Sequence, residues 1–171
     1  MLSHMNMSTR TSGPKNTIIL VSGCLIGMKC NYKGKANLRE WVLNLKDNYT
    51  LVPVCPEQLG GLPTPRLPVE IQEGDGYEIW EGSSNQILTS NGGSVVHQLI
   101  SGAKETIKIA RILGIKVAVL KDKSPSCGVF SIYDGSFSGE LKRGVGVATA
   151  ALRSNNVEVF SSENPEDPFF I

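Results

Sequence analysis

Between Thr50 and Glu70 the chain changes character within a few residues. A short apolar run, Thr50 to Val54, reads as a buried strand and passes directly into Pro53-Val54-Cys55-Pro56-Glu57-Gln58-Leu59-Gly60-Gly61-Leu62-Pro63-Thr64-Pro65-Arg66. Proline lacks an amide N–H and fixes φ, and glycine weakens helix and strand alike, so this stretch cannot extend regular structure. It predicts a stiff, low-entropy loop that holds a cysteine and a carboxylate two positions apart at the C-terminal end of a strand. Such a loop suits a functional site. A structural turn around a small buried thiol is the alternative.

The remaining segments suggest what surrounds that loop. Thr17 to Val21 is a β-branched run of the kind found in strands buried on both faces, and Ile115 to Leu120 is another. Leu38, Trp41, Val42 and Leu45 recur at helical spacing, and Asn91 to Leu113 reads as one long helix closed by Gly114. Glu73 to Gly93 reads as an excursion with extended pieces at Tyr77–Trp80 and Gln86–Leu88, and a hairpin is expected around Tyr133-Asp134-Gly135. Val145 to Arg153 predicts a shorter helix and Val157 to Phe160 a final edge strand. Alternating strands and helices imply an α/β class: a three-layer, mostly parallel, Rossmann-like sheet with helices on both faces. No dinucleotide fingerprint or P-loop follows the first strand, and Gly144-Val145-Gly146 is too short to count as one.

A chain of 171 residues is long enough for one domain with its own core. Residues 1–15 read as a disordered tail or cloning remnant, leaving 16–171 as that domain. The net charge of +1, with basic residues scattered, argues against nucleic-acid or membrane-surface binding. No apolar run is long enough to span a bilayer and no signal peptide is evident, so the expected location is cytoplasmic. In that reducing compartment the four cysteines point to metal or chemistry before disulfides.

Cys24, Cys55 and Cys127 each follow an expected buried strand within a few residues. In a parallel sheet those strand ends share one edge, so three thiols distant in sequence should converge. Soft sulfur ligands select zinc, copper(I) or an iron–sulfur cluster. A closed structural zinc site usually uses Cys-x-x-Cys pairs, and none occurs here. Three thiolates on a four-iron cluster would leave one iron open for substrate, whereas Cys30 as a fourth ligand would close it.

Four motifs then carry a specific resemblance. Cys24-Leu25-Ile26-Gly27-Met28-Lys29-Cys30-Asn31-Tyr32-Lys33-Gly34, Pro53-Val54-Cys55-Pro56-Glu57, Gly60-Gly61-Leu62 with Pro65-Arg66, and Ser124-Pro125-Ser126-Cys127-Gly128 resemble the thiouracil desulfurase family, in order and over most of the chain. The resemblance implies a single α/β domain, a [4Fe-4S] cluster on Cys24, Cys55 and Cys127, and conversion of 2-thiouracil to uracil with release of sulfide. It implies Glu57 and Ser124 as the catalytic polar pair and leaves Cys30 outside the ligand set. Asn31 and Lys33 depart from the arginine and aspartate of the family pattern, which bears on substrate rather than on the cluster.

The mechanism expected from this is attack on a thiocarbonyl carbon by water activated at Glu57, with Ser124 bonding the ring or relaying a proton. Arg66 and Glu70, four apart, are expected to pair with each other, and Lys121 and Lys123 to be solvated loop charges. The partner is a small thiolated pyrimidine, and the oligomeric state is not readable. Two other classes stay open: a cluster-free sulfurtransferase with a persulfide on Cys127 or Cys55, and a non-catalytic metal- or sulfur-binding module.

Overall fold

The computed structural model describes residues 17–165. The expected N-terminal tail, 1–15, lies outside them. β1 (Ile18–Ser22), β2 (Thr50–Val54), β5 (Val117–Leu120) and β8 (Glu158–Ser161) form one parallel sheet in the order β2-β1-β5-β8. The alternation of side chains along each strand divides this sheet between two cores. Ile19, Val21, Val117 and Val119 face Leu25, Val42 and Leu45, supplied by a 3₁₀ turn (Gly23–Ile26), by α1 (Glu40–Asn44) and by the 3₁₀ turn Leu45–Asp47 that continues it. Leu20, Ala118 and Leu120 face the opposite way, against Ala110 of α4 (Val96–Ile112) and Leu152 of α5 (Val147–Ser154). The expected three-layer, parallel α/β architecture is therefore observed, with a further covering unit outside α4 and α5. That unit consists of α3 (Gly76–Glu81) and the antiparallel pair β3 (Val69–Ile71) with β4 (Ile87–Thr89). Its own core joins Ile71, Ile79 and Ile87 to Leu99, Ala103 and Ala151.

β2 forms over the expected Thr50–Val54 with Pro53 inside it, paired with Val21, because it is an edge strand whose outward side needs no amide donor. For the same reason only Val54 in it is buried, where the sequence reading expects a buried strand. Three other segments differ from the sequence reading. The proline-rich loop opens with one helical turn, α2 (Pro56–Leu59), which places Pro56 where a helix lacks an N–H partner anyway. Tyr77–Trp80 is helical, not extended. Asp75 caps α3 by accepting the Tyr77 amide at 2.8 Å, and Glu78 reaches back to the Asp75 amide at 2.9 Å. This capping box outweighs the Gly/Ser-rich composition around it. The long helix begins at Val96, later than expected. The hairpin around residue 134 is present as β6 (Ser131–Tyr133) paired with β7 (Leu141–Arg143), and loop 134–140 joins them.

No helix of the described residues is long and apolar enough to cross a membrane.

Candidate active site

β2, β1 and β5 are neighbours with the same direction, so their C-terminal ends open onto one edge. Cys24 sits in the turn after β1, Cys55 joins β2 to α2, and Cys127 lies in the loop after β5. All three line a single cavity of about 560 Å³, and Cys30, Glu57 and Ser124 line it too.

The loop carrying Cys127 is held by an internal carboxylate. Asp122, 4 % exposed, accepts the backbone amides of Lys123, Val129, Phe130 and Ser131 on one oxygen and the Ser161 hydroxyl on the other. Burial is the largest single influence on this carboxyl and raises its pKa, but the amide donors together outweigh it and hold it below the usual aspartate value. Within the loop, Ser124 Oγ accepts the amides of Cys127 at 3.1 Å and Ser126 at 3.3 Å. Gly146, at the start of α5, backs this turn so closely that a Cβ there would lie 2.3 Å from the Ser126 carbonyl carbon. The Gly144-Val145-Gly146 sequence thus serves packing behind the site.

Glu57 projects from α2 and is 7 % exposed. Its Oε1 accepts the Ser126 hydroxyl at 2.9 Å, and its Oε2 accepts Arg66 Nε–H at 2.5 Å. The same guanidinium donates to the carbonyls of Pro63 and Cys30 and to Thr64 Oγ1, and its Nη2 lies 3.9 Å from Cys55 Sγ. The expected pairing of Arg66 with Glu70 is therefore wrong. The folded-back proline loop delivers Arg66 to Glu57, while Glu70 turns to the amides of Gly135 and Phe137. No hydrogen bond joins Glu57 to Ser124. Ser126 stands between them, with its Oγ 3.2 Å from that of Ser124. Spacing carried no signal for Ser126 or for the Arg66–Glu57 pair, because both depend on how loops return rather than on a repeat. Lys121 also lines the cavity, and burial, its largest influence, lowers its pKa. Its Nζ hydrogen bonds to the Asp122 carbonyl, so it is a half-buried cation rather than a solvated one.

The thiols differ in character. The single S–H of Cys30, shared between its neighbours Cys24 and Cys55, is the largest influence on both and lowers each to about 7 against the opposing effect of burial. The Cys55 thiol in turn donates to the Cys30 carbonyl at 3.5 Å. The Cys30 pKa is raised by the same two neighbours. Cys127 is pushed up to about 12 by burial. Among the described residues, no group of three or more His, Cys, Asp or Glu side chains is arranged to hold a metal ion. Three separated soft donors around a roomy cavity suit a larger inorganic body, such as an iron–sulfur cluster, better than one ion. Two of them stand near thiolate at neutral pH, and Arg66 and Lys121 supply positive charge beside them. The raised Cys127 is no obstacle, because coordination deprotonates a thiol outright.

The chain is similar to known proteins over most of its length. The family model described as 2-thiouracil desulfurase matches residues 19–164. A curated relative, the uncharacterized protein YbbK of Bacillus subtilis (strain 168), is 39 % identical over 150 residues, covering 88 % of this chain and 99 % of that protein. Among solved structures, that of the [4Fe-4S]-dependent thiouracil desulfidase TudS aligns with a TM-score of 0.74 and 35 % identity, over 88 % of this chain and 94 % of the other.

Proposed function

The chain belongs to the 2-thiouracil desulfurase family, and on that premise we propose that it removes sulfur from a thiolated pyrimidine, yielding the oxo base and sulfide, with a [4Fe-4S] cluster held by Cys24, Cys55 and Cys127. The observation that carries this reading is the arrival of three thiols, from the ends of three adjacent parallel strands, in one cavity beside a buried carboxylate. When bound, a cluster on three protein ligands supplies an open iron that draws electron density from a soft thiocarbonyl sulfur.

The protein's own groups then perform the proton and positioning work. Glu57 is the base toward water. The positive charge of Arg66 makes Oε2 the less basic oxygen, so the proton is received at Oε1, whose second lone-pair site lies beside the Ser126 hydroxyl. A positioned base of this kind contributes on the order of 10²–10⁴-fold. Ser124 accepts two amides through its oxygen, which leaves its single hydrogen for the substrate ring or for Ser126. Arg66 also ties Glu57 to the backbone of Cys30, which fixes the base relative to the loop that follows Cys24.

The test is anaerobic reconstitution with an iron and labile-sulfide count, followed by sulfide release from 2-thiouracil. Support requires cluster stoichiometry that falls when Cys24, Cys55 or Cys127 becomes serine, and turnover that falls with Glu57→Gln while the iron stays. An iron-free protein that still transfers sulfur would instead indicate a persulfide mechanism. A retained cluster without turnover would indicate a binding module.

A further inference from the structure

Glu70 is a second buried carboxylate at the same cavity, and the chemistry above makes no use of it. It lies on β3, is 7 % exposed, and lines the cavity with the cysteines. Its Oε2 accepts two backbone amides, Gly135 at 2.9 Å and Phe137 at 3.0 Å. Both belong to loop 134–140, and Tyr133 and Phe137 of this hairpin form part of the cavity wall. Phe137 adopts φ 56, an unfavourable backbone for an aromatic residue, so the loop shape depends on such external bonds.

The other oxygen, Oε1, receives no donor from the described residues. A carboxylate has about four acceptor sites, and a charge removed from water is costly unless hydrogen bonds replace the lost solvation. Oε1 is not among the buried unpartnered atoms of the described residues, so it keeps contact with the open space of the cavity that Glu70 lines beside Tyr133 and Phe137. An acceptor open to a cavity beside aromatic side chains suits a planar ligand that brings an N–H. In a thiolated pyrimidine, that donor lies next to the thiocarbonyl.

We infer that Glu70 is a specificity residue: its Oε1 accepts the ring N–H of a cyclic thioamide while its Oε2 holds Phe137 against the ring. The inference rests on the desulfuration proposed above, and it names the substrate class as N–H thiolactams. Ring-N-alkylated thiolactams are disfavoured twice over, since they lack the donor and, once bound, shut Oε1 off from water without replacing its hydrogen bond.

The experiment uses the anaerobically reconstituted enzyme and its E70Q variant, with 2-thiouracil and its N1-methyl and N3-methyl derivatives. Sulfide release, iron content and visible absorbance are read for each. Glutamine can keep its carbonyl toward the Gly135 and Phe137 amides while turning the free acceptor into a donor. The wild type should lose roughly ten- to hundredfold in kcat/KM on at least one methyl derivative. E70Q should raise KM for 2-thiouracil by a similar factor with kcat within about threefold, unchanged iron, and the parent-versus-methyl discrimination levelled. A purely steric rejection of the methyl group would leave that discrimination intact in E70Q. Wild-type KM and discrimination in E70Q overturn the inference. Should E70Q not fold, equal turnover of all three compounds by the wild type overturns it as well. A wild type that releases no sulfide from any of them removes the desulfuration reading itself, and shows as much before any substitution is made.

Discussion

Arg66 and Glu57 form an ion pair with almost no contact with water: their side chains are 6 % and 10 % exposed, and Nε meets Oε2 at 2.5 Å. Such a pair is weak evidence for stability, but breaking it leaves one charge buried and unpaired. Arg66→Ala should therefore destabilise the protein by about 3–5 kcal/mol, measured from the urea midpoint. Arg66→Lys should recover only part of this. One ammonium cannot serve Glu57, the Pro63 and Cys30 carbonyls and Thr64 together, as the guanidinium does. Full recovery by lysine would show that charge alone matters.

Gly102 lies in α4 directly under α2. Helix propensity alone would favour alanine there by about 1 kcal/mol. The packing decides otherwise, because a Cβ at Gly102 would lie 1.8 Å from the Pro56 carbonyl oxygen, and one at Gly60 would lie 1.9 Å from the Gln98 carbonyl oxygen. Backbone meets backbone, so neither side can yield by a rotamer change. Gly102→Ala should cost more than the ~1–3 kcal/mol typical of overpacking and should lower kcat, because α2 carries Glu57. A thermal midpoint equal to or above that of the wild type would show that α2 can slide without harm.

The influence of the Cys30 thiol on its neighbours can be read in the metal-free protein. Cys55 is the partly exposed thiol of the set and stands at about 7 chiefly because Cys30 bonds to it. Alkylation should reach Cys55 first, with a rate rising through neutral pH, while buried Cys127, pushed to about 12, stays protected. Cys30→Ala removes the bond, and the rate profile of Cys55 should move to higher pH, toward the ordinary thiol value near ~8.5. An unmoved profile would assign the shift to Arg66 and the α2 backbone instead.

The parts of this fold that could be read in advance are those governed by periodicity. β1 and β5 announce themselves as short β-branched runs, and the gathering of Cys24, Cys55 and Cys127 follows from parallel strands ending on a common edge. Connections through loops could not be read that way. Arg66 is nine residues from Glu57 along a chain of prolines and glycines, and nothing in that spacing says that the loop doubles back. Ser126 lies beside the expected Ser124, yet the turn capped by Ser124 gives Ser126, not Ser124, the bond to Glu57. The helix α3 is a different case. Its Asp75-x-x-Glu78 capping signal stands in the sequence, but among glycines and serines whose composition points to an irregular excursion. The close contact of Gly60 and Gly102 joins residues 42 apart and has no local signature.

Asp122 ties loop chemistry to pH. Its carboxyl is held below the usual aspartate value in the folded protein, because the amide donors of the Cys127 loop together outweigh the burial that would raise it. A depressed folded pKa means that the stabilisation is complete above the unfolded value, near ~3.9, and is lost as pH falls through the lower folded value. Asp122→Asn keeps the shape but weakens charge-assisted bonds typically worth about 1.5–3 kcal/mol. The stability gap between the wild type and Asp122→Asn should therefore be constant from about pH 5 to 7 and close progressively below about pH 4. The same substitution should lower the iron bound after reconstitution, since the amides released belong to the segment that presents Cys127. A gap that widens on acidification would mean that Asp122 is buried protonated, and the loop would then be held by its neutral form.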